Sequence, residues 1–419
     1  MMALALEGSL PPPRLARLHQ VRRLALAAGL PTYLAGGLVR DLLLGRPSSD
    51  LDFVVVPATA GDTAPAQRLT TALAHAHGGE VTLHRAFGTA TWLDPDGAAL
   101  DFTTARTETY AHPGALPSVA ATDAIEADLR RRDFSINALA VRVDGEHLGE
   151  LVDPHGGQAD LAAGIVRVLH PASFRDDPTR IFRAARYAQR LGFRLADGTA
   201  ALIAPALPII PALSGERVRH ELEMLFREPR AAAGLERLDA VGVLGAVHPA
   251  LRWGETESRA AEAISSLPHA AWQWATPLDV DSIYLTLLLR QAAPDQARAA
   301  LERLSLTRAV GEAVRGALGL RLTGARPSEV VAQVDALSLD GAAAAYVARP
   351  EARERLEAYL ARWRFVRAQM TGDDLVALGL PPGPDFKRIL WRLRAARLEG
   401  EIGDEAGELA LARALAGLE

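Results

Sequence analysis

The 419-residue sequence contains no cysteine and only one lysine, Lys387, among its 46 lysine and arginine residues. The absence of cysteine excludes disulfide bonds, thiolate metal sites and a cysteine nucleophile, and with them any disulfide-linked partner. With a net charge of −5, the chain has no overall positive field that would attract nucleic acid. Any nucleic-acid contact must therefore come from local groups of arginine side chains.

Long apolar runs are also missing, since none approaches the roughly 20 residues needed to cross a bilayer. The opening "MALAL" is too short and too uncharged for a signal peptide. We therefore expect no membrane association and a cytoplasmic location. With 49% hydrophobic residues the chain can still bury a large core, and its length predicts two to four domains of roughly 100–200 residues each.

Short apolar runs typical of β-strands occupy the first third of the chain and then stop. They lie at Leu51–Val56, Glu80–Leu83, Ala90–Leu93, Leu100–Thr104, Ile136–Val143 and Val166–Leu169, between helical patterns such as Leu15–Ala28 and Ala64–His77. From about Pro171 onward, Ala, Leu and Arg recur at helical spacing. The pattern predicts an α+β protein with a mixed α/β N-terminal part and an all-helical remainder.

Two aspartates stand at the start of the apolar run "LDFVVV". Asp50 and Asp52 are two residues apart on the predicted strand, so both side chains lie on one face. Carboxylates this close repel each other unless a cation holds them, and Mg²⁺ prefers oxygen ligands. Such pairs are also common in surface turns, so the spacing alone leaves both a metal site and a turn open.

Gly36 and Gly37 precede a helical stretch that carries Arg40. Glycine leaves the backbone N–H groups accessible where a strand meets a helix, and the helix start and Arg40 both add positive charge. This arrangement suits a bound triphosphate. A plain strand-to-helix turn would use the same two glycines.

In combination, "GGLVRDLLLGRPSSDLDFVVV", residues 36–56, resembles the signature of the tRNA nucleotidyltransferase and poly(A) polymerase family, the bacterial branch of the DNA polymerase β-like nucleotidyltransferases. The resemblance implies that Asp50 and Asp52 are catalytic and hold Mg²⁺, and that Gly36, Gly37 and Arg40 bind the nucleotide. Asp101 lies on a later predicted strand, where the family commonly has a third acidic residue. We treat Asp101 as a candidate catalytic residue, with a strand-edge charge as the alternative.

A second segment, "IEADLRRRDFSINALAV" at residues 125–141, also carries the resemblance. It implies that Arg132 and Asp133 hold the ribose 2′-OH of the incoming nucleotide and that Asn137 supports the nearby backbone. Arginine suits such contacts because its donors are fixed in geometry and always charged. Without the family, "LRRRD" is typical of a solvated helix face.

The third segment is "SFRDDPTRIFRAARYAQRLGFRL", residues 173–195, which resembles the family's nucleobase-reading motif. We expect Asp176, Asp177 and Arg180 on one new helix, with Asp177 and Arg180 hydrogen-bonding the edges of C and A. The family usually has Glu at the position of Asp176, so this residue could instead orient Arg180 or cap the helix. A surface salt bridge within one helical turn is the alternative.

Between the strands and these motifs, "TETYAHPGALPSVAATDA" has the composition of a mobile loop. In the family this loop moves during nucleotide selection and is shortened in members that add only C. The loop is not obviously shortened in this chain. The resemblance therefore favours addition of the terminal A, with or without the two Cs.

The C-terminal half resembles the family in "SGERVRHELEMLF" and in the tail that begins "TGDDLVALGL". We expect a nucleotidyltransferase head at 1–168, a base-reading neck at 169–235, a body at 236–340 and a tRNA-binding tail at 341–419. In the tail, Arg388, Arg392 and Arg394 are candidates for contacts to RNA phosphates. A solvated helix face balanced by nearby glutamates is the alternative.

The resemblance implies a Mg²⁺-dependent, template-independent enzyme that adds A, or CCA, to the 3′ end of tRNA from ATP, with CTP also needed for CCA, and releases pyrophosphate. A poly(A) polymerase and a CC-adding enzyme remain open. Two more distant alternatives are a small-molecule nucleotidyltransferase, which would lack the Asp177 and Arg180 pair, and an RNA-binding protein with an inactive head. Intact Asp50, Asp52, Arg132 and Asp133 argue against the inactive head.

Overall fold

The computed structural model describes residues 6–46, 51–59, 61–84, 88–145, 148–275 and 277–418. The chain divides into two compact units, Met1–Leu213 and Ser214–Glu419. The first unit combines strands and helices, and the described part of the second unit is helical. The predicted α+β class, with a mixed N-terminal part and a helical remainder, is confirmed. The finer division into four domains stays a prediction.

The described strands of the first unit form one large sheet and two small ones. The strands are β1 (Thr32–Ala35), β2 (Asp52–Val55), β3 (Glu80–His84), β4 (Thr89–Leu93), β5 (Ala99–Thr104), β6 (Arg106–Thr109), β7 (Ser118–Ala121), β8 (Ala140–Arg142), β9 (Leu151–Val152), β10 (Ile165–Val166) and β11 (Arg194–Leu195). In the large sheet the order is β3-β4-β5-β2-β1-β8-β9. Within it β2 and β5 pair in parallel, and the other neighbouring strands pair antiparallel.

The described part of the first unit also contains helices. They are α1 (Leu6–Ser9), α2 (Pro12–Ala27), α3 (Gly37–Leu43), α4 (Pro65–His77), α5 (Ile125–Arg130), α6 (Gly157–Ala163), α7 (Ser173–Asp176), α8 (Thr179–Leu191), α9 (Asp197–Ala200) and α10 (Ile203–Ala206), with 3₁₀ segments at Ser135–Asn137 and Leu207–Ala212. α4 packs on β4 and β5. Its Leu69 and Leu73 are buried and lie one helical turn apart, which gives the helix one apolar face toward the sheet.

Several strand boundaries differ from the prediction, and the strand predicted at Val166–Leu169 is β10 at Ile165–Val166. The run Ile136–Val143 becomes a strand only at Ala140, because residues 135–137 form a 3₁₀ turn. Side-chain hydrogen bonds hold this turn, since Ser135 Oγ donates to Asp160 at 2.5 Å and Asn137 Nδ2 donates to Asp133 at 3.0 Å. The expectation that strands end near Pro171 is also wrong, because β11 pairs in parallel with β10.

The segment expected to be a mobile loop contains regular structure. β6 and β7 pair antiparallel, from Arg106 opposite Ala121 to Thr109 opposite Ser118. Only residues 110–117 connect the two strands. Within this connection Gly114 is buried, and its N–H donates to backbone carbonyl groups of Arg175 and Asp176 at 3.2 Å. The hairpin is therefore anchored to the segment that was predicted to read the base.

The described helices of the second unit are α11 (Gly215–Phe226), α12 (Ala231–Ala240), α13 (Val243–Val247), α14 (Glu255–Ala261), α15 (Val280–Leu289), α16 (Pro294–Arg303), α17 (Arg308–Gly319), α18 (Pro327–Val334), α19 (Leu339–Ala348), α20 (Arg353–Ala361), α21 (Gly372–Ala377), α22 (Pro384–Glu399) and α23 (Glu405–Ala416). Short 3₁₀ segments lie at Glu262–Ser266, Pro350–Ala352 and Trp363–Phe365. α15, α17 and α19 pack against one another. α19 is alanine-rich and is buried from Gly341 to Ala348, because small side chains let its neighbours approach closely.

In the described part of the chain, no single helix is long and apolar enough to cross a membrane. The pair α18 and α19 reaches the required length and composition only when its two helices are counted together, and they are bent by 116°. Both helices contribute buried side chains to the second unit.

We expect Phe102→Ala to destabilise the large sheet. Phe102 on β5 stacks on Phe53 of β2 with ring centroids 4.9 Å apart, and both side chains are buried. Truncating a buried Phe to Ala typically costs about 3–5 kcal/mol. Hydrogen exchange at the β2 and β5 amides measures this loss locally. Leu116→Ala is the control because Leu116 is 74% exposed. Equal protection in both variants would contradict the prediction.

Candidate active site

A cavity of about 710 Å³ in the first unit brings together most of the predicted nucleotide-binding residues. Its lining includes seven arginines: Arg40, Arg106, Arg131, Arg132, Arg180, Arg183 and Arg190. Five carboxylates also line it: Asp41, Asp52, Glu108, Asp133 and Asp177. The lining is therefore basic overall. Arginine binds phosphate with two parallel hydrogen bonds, so this cavity suits a polyphosphate.

The turn at Gly36 and Gly37 lies in the wall of this cavity. Gly36 precedes α3 with a φ of 81°, a conformation that favours glycine. A Cβ atom at this position would lie 2.6 Å from Nη1 of Arg132. Gly36 is therefore required both by its backbone conformation and by the close approach of the Arg132 guanidinium.

Asp52 and Asp101 lie side by side on neighbouring strands. Asp52 is the first residue of β2, is exposed and lines the cavity. Asp101 on β5 is its partner in the parallel pair, and it is also exposed. Because residues paired in register share one face of a sheet, the two carboxylates project to the same side. Asp101 also accepts a hydrogen bond from Thr91 Oγ1 at 2.6 Å.

The predicted metal pair is only half within the described residues, because Asp50 lies outside them. Among the residues that are described, no group of three or more His, Cys, Asp or Glu side chains could hold a metal ion. Asp52 and Asp101 do offer carboxylate oxygens from adjacent positions, which are suitable ligands for a divalent cation. The donor set present at this strand edge therefore fits a hard cation.

Hydrogen bonds connect three predicted nucleotide-binding residues along the cavity wall. Arg40 Nη1 donates to Asn137 at 2.7 Å, and Asn137 Nδ2 donates to Asp133 at 3.0 Å. The other oxygen of Asp133 accepts from Arg183 Nε at 2.9 Å. Burial raises the pKa of Asp133, but the Arg183 charge and the Asn137 hydrogen bond outweigh it, so the pKa lies below its ordinary value. Asp133 therefore stays ionised and fixes the position of Arg183.

Asp128 holds Arg132, although the sequence reasoning did not single it out. This aspartate is fully buried, and it accepts from Arg131 Nε at 2.9 Å and from Arg132 Nη2 at 3.2 Å. Burial raises the pKa of Asp128, but the charges of Arg131 and Arg132 outweigh burial and lower it. The signal in the sequence was the spacing of three and four residues from Asp128 to the two arginines.

Arg180 is buried and surrounded by hydrogen-bond acceptors. Its Nη2 donates to the Arg131 carbonyl oxygen at 2.7 Å and to the Tyr110 hydroxyl at 3.3 Å. Its Nη1 donates to Ser173 Oγ at 2.8 Å and to the Arg132 carbonyl oxygen at 3.2 Å. Both terminal nitrogens, which the sequence reasoning assigned to a base edge, therefore bind protein groups in this structure.

The single helix expected to carry Asp176, Asp177 and Arg180 is wrong. α7 ends at Asp176, Asp177 has an extended backbone, and α8 begins at Thr179. The cause is Pro178, because a proline disfavours helical conformation in the residue before it. Asp177 caps α8 by accepting from the Thr179 N–H at 3.1 Å and from Thr179 Oγ1 at 2.7 Å.

This break separates the two aspartates. Asp177 lines the main cavity and lies 4.0 Å from Nε of Arg180. Asp176 lines a second cavity of about 570 Å³, together with His170. Burial and the Arg180 charge lower the pKa of His170. The structure therefore places Asp177 in the main cavity and Asp176 in a neighbouring cavity, and Arg180 lines both.

Tyr110 is a further residue of the site that the sequence reasoning missed. It follows β6, and its hydroxyl donates to Glu108 Oε2 at 3.1 Å while it accepts from Arg180. Burial, opposed by the Arg180 charge and reinforced by Glu108, raises the pKa of Tyr110 to about 12. The hydroxyl therefore stays protonated and links the β6-β7 hairpin to Arg180.

Arg183 and Arg190 were also missed, although the pattern on α8 contains a signal for them. Together with Arg180 and Tyr187 they are spaced by three, four and three residues, and all four line the cavity. Such spacing places side chains on one helix face. The face of α8 that carries Arg180 therefore supplies three of the arginines of the site.

The predicted RNA-binding arginines lie on α22, in the second unit. Each forms an ion pair: Arg388 with Asp385 at 3.0 Å, Arg392 with Glu401 at 2.6 Å, and Arg394 with Asp335. The first two pairs are exposed, and exposed pairs are typically worth less than about 1 kcal/mol. A role for these arginines in RNA binding stays a prediction.

Comparisons with known proteins find related sequences and families over most of this chain. Residues 32–167 match the Poly A polymerase head domain, and residues 192–253 match the probable RNA and SrmB-binding site of polymerase A. An A-adding tRNA nucleotidyltransferase of Geobacter sulfurreducens is 33% identical over 97% of this chain, which spans only 48% of that protein. A second, from Halalkalibacterium halodurans, is 33% identical over 94% of this chain and 91% of its own length.

A solved structure is also similar to this chain. The complex of a CCA-adding enzyme with ATP has a TM-score of 0.83 and 26% identity, covering 100% of this chain and 99% of that chain. The head match begins at residue 32 and includes Asp52, Asp101 and the Arg132–Asn137 segment. From the extent of these matches, the chain belongs to the tRNA nucleotidyltransferase and poly(A) polymerase family.

Proposed function

We propose that this chain adds the terminal A to the 3′ end of tRNA, using ATP and releasing pyrophosphate. The observation that carries the proposal is the cavity of about 710 Å³ that seven arginines line and that Asp52 borders. The cavity combines a binding place for a triphosphate with a carboxylate at the edge where chemistry on that triphosphate would occur. Both relatives named above are A-adding enzymes, which supports A as the nucleotide added.

The reaction forms one bond and breaks another. The oxygen of the tRNA 3′-hydroxyl bonds to the α-phosphorus of ATP, the bond from that phosphorus to the bridging oxygen breaks, and pyrophosphate leaves. Asp101, beside Asp52, assists removal of the hydroxyl proton. The arginines of the cavity hold the phosphates and offset their charge, so the protein contributes mainly position and electrostatics.

Each remaining site residue has a proposed role in holding the nucleotide. Gly36 and Gly37 admit the triphosphate to the backbone, and Arg40 positions Asn137. Arg132 and Asp133 bind the ribose, with Asp133 already ionised and oriented by Arg183. In base choice, Asp177 offers an acceptor and Arg180 fixes the surrounding backbone, while Asp176 acts only indirectly from the second cavity.

We propose Mg²⁺ as the divalent cation, held by Asp50 and Asp52 with Asp101 adjacent. Members of this family use divalent metal in general. When bound, Mg²⁺ makes a hydroxyl more acidic and neutralises charge on phosphate oxygens. The protein's contribution is to present carboxylate oxygens on one side of β2 and β5. The proposed location is the cytoplasm, where tRNA and ATP are available.

The product decides between this proposal and its alternatives. Purified protein is incubated with tRNA ending before the CCA, after the first C and after CC, with one labelled nucleotide at a time. We expect one A on tRNA ending in CC and no other product. Addition of C to the shorter forms together with A indicates a CCA-adding enzyme, addition of C alone a CC-adding enzyme, and progressive tailing of unrelated RNA a poly(A) polymerase. Any of these results would replace the A-adding assignment.

We expect Asp52→Ala to abolish incorporation, because it removes one ligand of the cation, and Asp101 on the neighbouring strand supplies a separate carboxylate and cannot replace it. Asp50→Ala should behave in the same way. Folding should persist, since Asp52 is exposed. Titration calorimetry with Mg²⁺ and ATP provides a readout that is independent of turnover, and Asp123→Ala, also exposed, is the control. If the Asp52 variant incorporates nucleotide and binds the cation as the wild type does, Asp52 is not a ligand of the cation.

We expect Arg180→Ala to lower nucleotide selectivity more than it lowers triphosphate binding. Its loss releases the carbonyl oxygens of Arg131 and Arg132, and so loosens the backbone near Asp177. The values of kcat/KM for ATP, CTP, GTP and UTP measure the effect. Tyr110→Phe removes only one of the four acceptors of Arg180, so it should change selectivity less. A uniform loss for all four nucleotides would make Arg180 a purely structural residue.

A further inference from the structure

A second arginine-rich cavity, of about 630 Å³, lies in the second unit. It is bordered by α16, α17 and the residues that follow α15 and α19. Five arginines line it: Arg290, Arg298, Arg315, Arg321 and Arg349. Of the described carboxylates, only Asp295 contributes to the lining. In a chain with a net charge of −5, this is a local concentration of positive charge.

The charges in this cavity are poorly neutralised. Arg298 and Arg315 are exposed, and in the part of the chain that the structure describes the charge of Arg315 acts on Glu312 without a hydrogen bond or a close ion pair between them. Arg290 lies 3.8 Å from Glu257, and Arg349 lies 3.9 Å from Glu351, which are long distances for ion pairs. In addition, Nη1 of Arg290 is buried without a hydrogen-bond partner among the described groups. Each of these arginines can therefore still donate hydrogen bonds to a bound anion.

Two of the arginines are held in place by the end of α17. Arg349 donates to the carbonyl oxygens of Ala317 at 3.2 Å and Leu318 at 2.7 Å, and Arg321 donates to that of Leu318 at 3.0 Å. Burial and the charges of Arg321 and Arg290 lower the pKa of Arg349. These guanidinium groups repel one another where they stand, and a bound anion would relieve that repulsion.

The rest of the lining indicates which anion fits. Among the residues that the structure describes, the cavity lining has no aromatic side chain on which a base could stack, and no Asn, Gln, Ser or Thr side chain that could read a base edge. Its other side chains are small or apolar, as at Ala297 and Leu318. Such a surface favours phosphate groups, which arginine binds through paired hydrogen bonds, and it offers no stacking platform for a base. It suits a polymer recognised through its backbone.

We propose that this cavity binds backbone phosphates of the RNA substrate. The proposal rests on the proposed function, since it assigns a surface of the second unit to the same RNA. It also differs from the expectation for α22, where Arg388, Arg392 and Arg394 each have a carboxylate partner. Phosphate contacts from several helices hold RNA in position without sequence preference.

The test is the salt dependence of RNA binding by the full chain. Affinity for a tRNA transcript ending in CC is measured without ATP between 50 and 500 mM KCl, for wild type and for Arg298→Ala with Arg315→Ala. We expect the log–log slope to fall by about 0.7–0.9 for each lost contact, which for two contacts is a change of about 25- to 60-fold per tenfold change in salt. The KM for ATP at saturating tRNA should not change.

The matched control is Arg259→Ala with Arg326→Ala. These two arginines are 74% and 68% exposed in their side chains, and each pairs with a glutamate, so the variant loses the same charge elsewhere on the second unit. An unchanged salt slope in the cavity variant, or an equal change in the control, would overturn the proposal. A changed KM for ATP with unchanged RNA binding would also overturn it and would indicate a nucleotide site.

Because binding is measured without ATP, the two proposals fail independently. A protein that binds tRNA through this cavity but adds no nucleotide would refute the proposed function and support the RNA surface. A protein that adds A normally, with the same salt slope in both variants, would refute only the surface.

Discussion

The active site depends on two buried carboxylates, Asp128 and Asp133, that hold arginines in place. Like charges around one cavity repel, and at about 4 Å two unit charges interact with about 4 kcal/mol at an effective dielectric constant near 20. Asp128 binds Arg131 and Arg132, and Asp133 binds Arg183. The guanidinium groups are therefore positioned before any nucleotide enters, which is the condition for electrostatic preorganisation.

The register of one strand pair places the reactive edge next to these arginines. β2 and β5 are the parallel pair in the large sheet, and their first shared positions are Asp52 with Asp101 and Phe53 with Phe102. Because side chains alternate between faces, a slip of one residue would bring a carboxylate of one strand opposite a phenylalanine of the other. The buried stack of Phe53 on Phe102 therefore maintains the alignment of the two acids.

Local patterns were sufficient to predict much of this arrangement but not its internal partners. The positions of β2, β3, β4 and β5, the Gly36 turn and the Asp52 position follow from spacing and from the family resemblance, whereas β6, β7, β9 and β11 were not predicted. Tyr110 could not be assigned in the same way, because its role arises from contacts with Glu108 and Arg180 made by folding. The spacing of Asp128 from Arg131 and Arg132 was readable, but its complete burial was not. Pro178 is different, since the helix break before it was readable from local chemistry and was overlooked.

The two arginine groups of the second unit show why density of basic residues is a poor guide to a polyanion site. Arg388 lies three residues after Asp385 on α22, so the sequence run that supplies the positive charge also supplies its partner. Arg298, Arg315 and Arg349 come from separate segments and meet because α17 packs against both α16 and α19. The carboxylates near them are weakly engaged, since Arg349 lies 3.9 Å from Glu351 and Arg315 acts on Glu312 only through its charge. The charge available to RNA therefore depends on which guanidinium groups the fold leaves without a close carboxylate, and this is a property of packing.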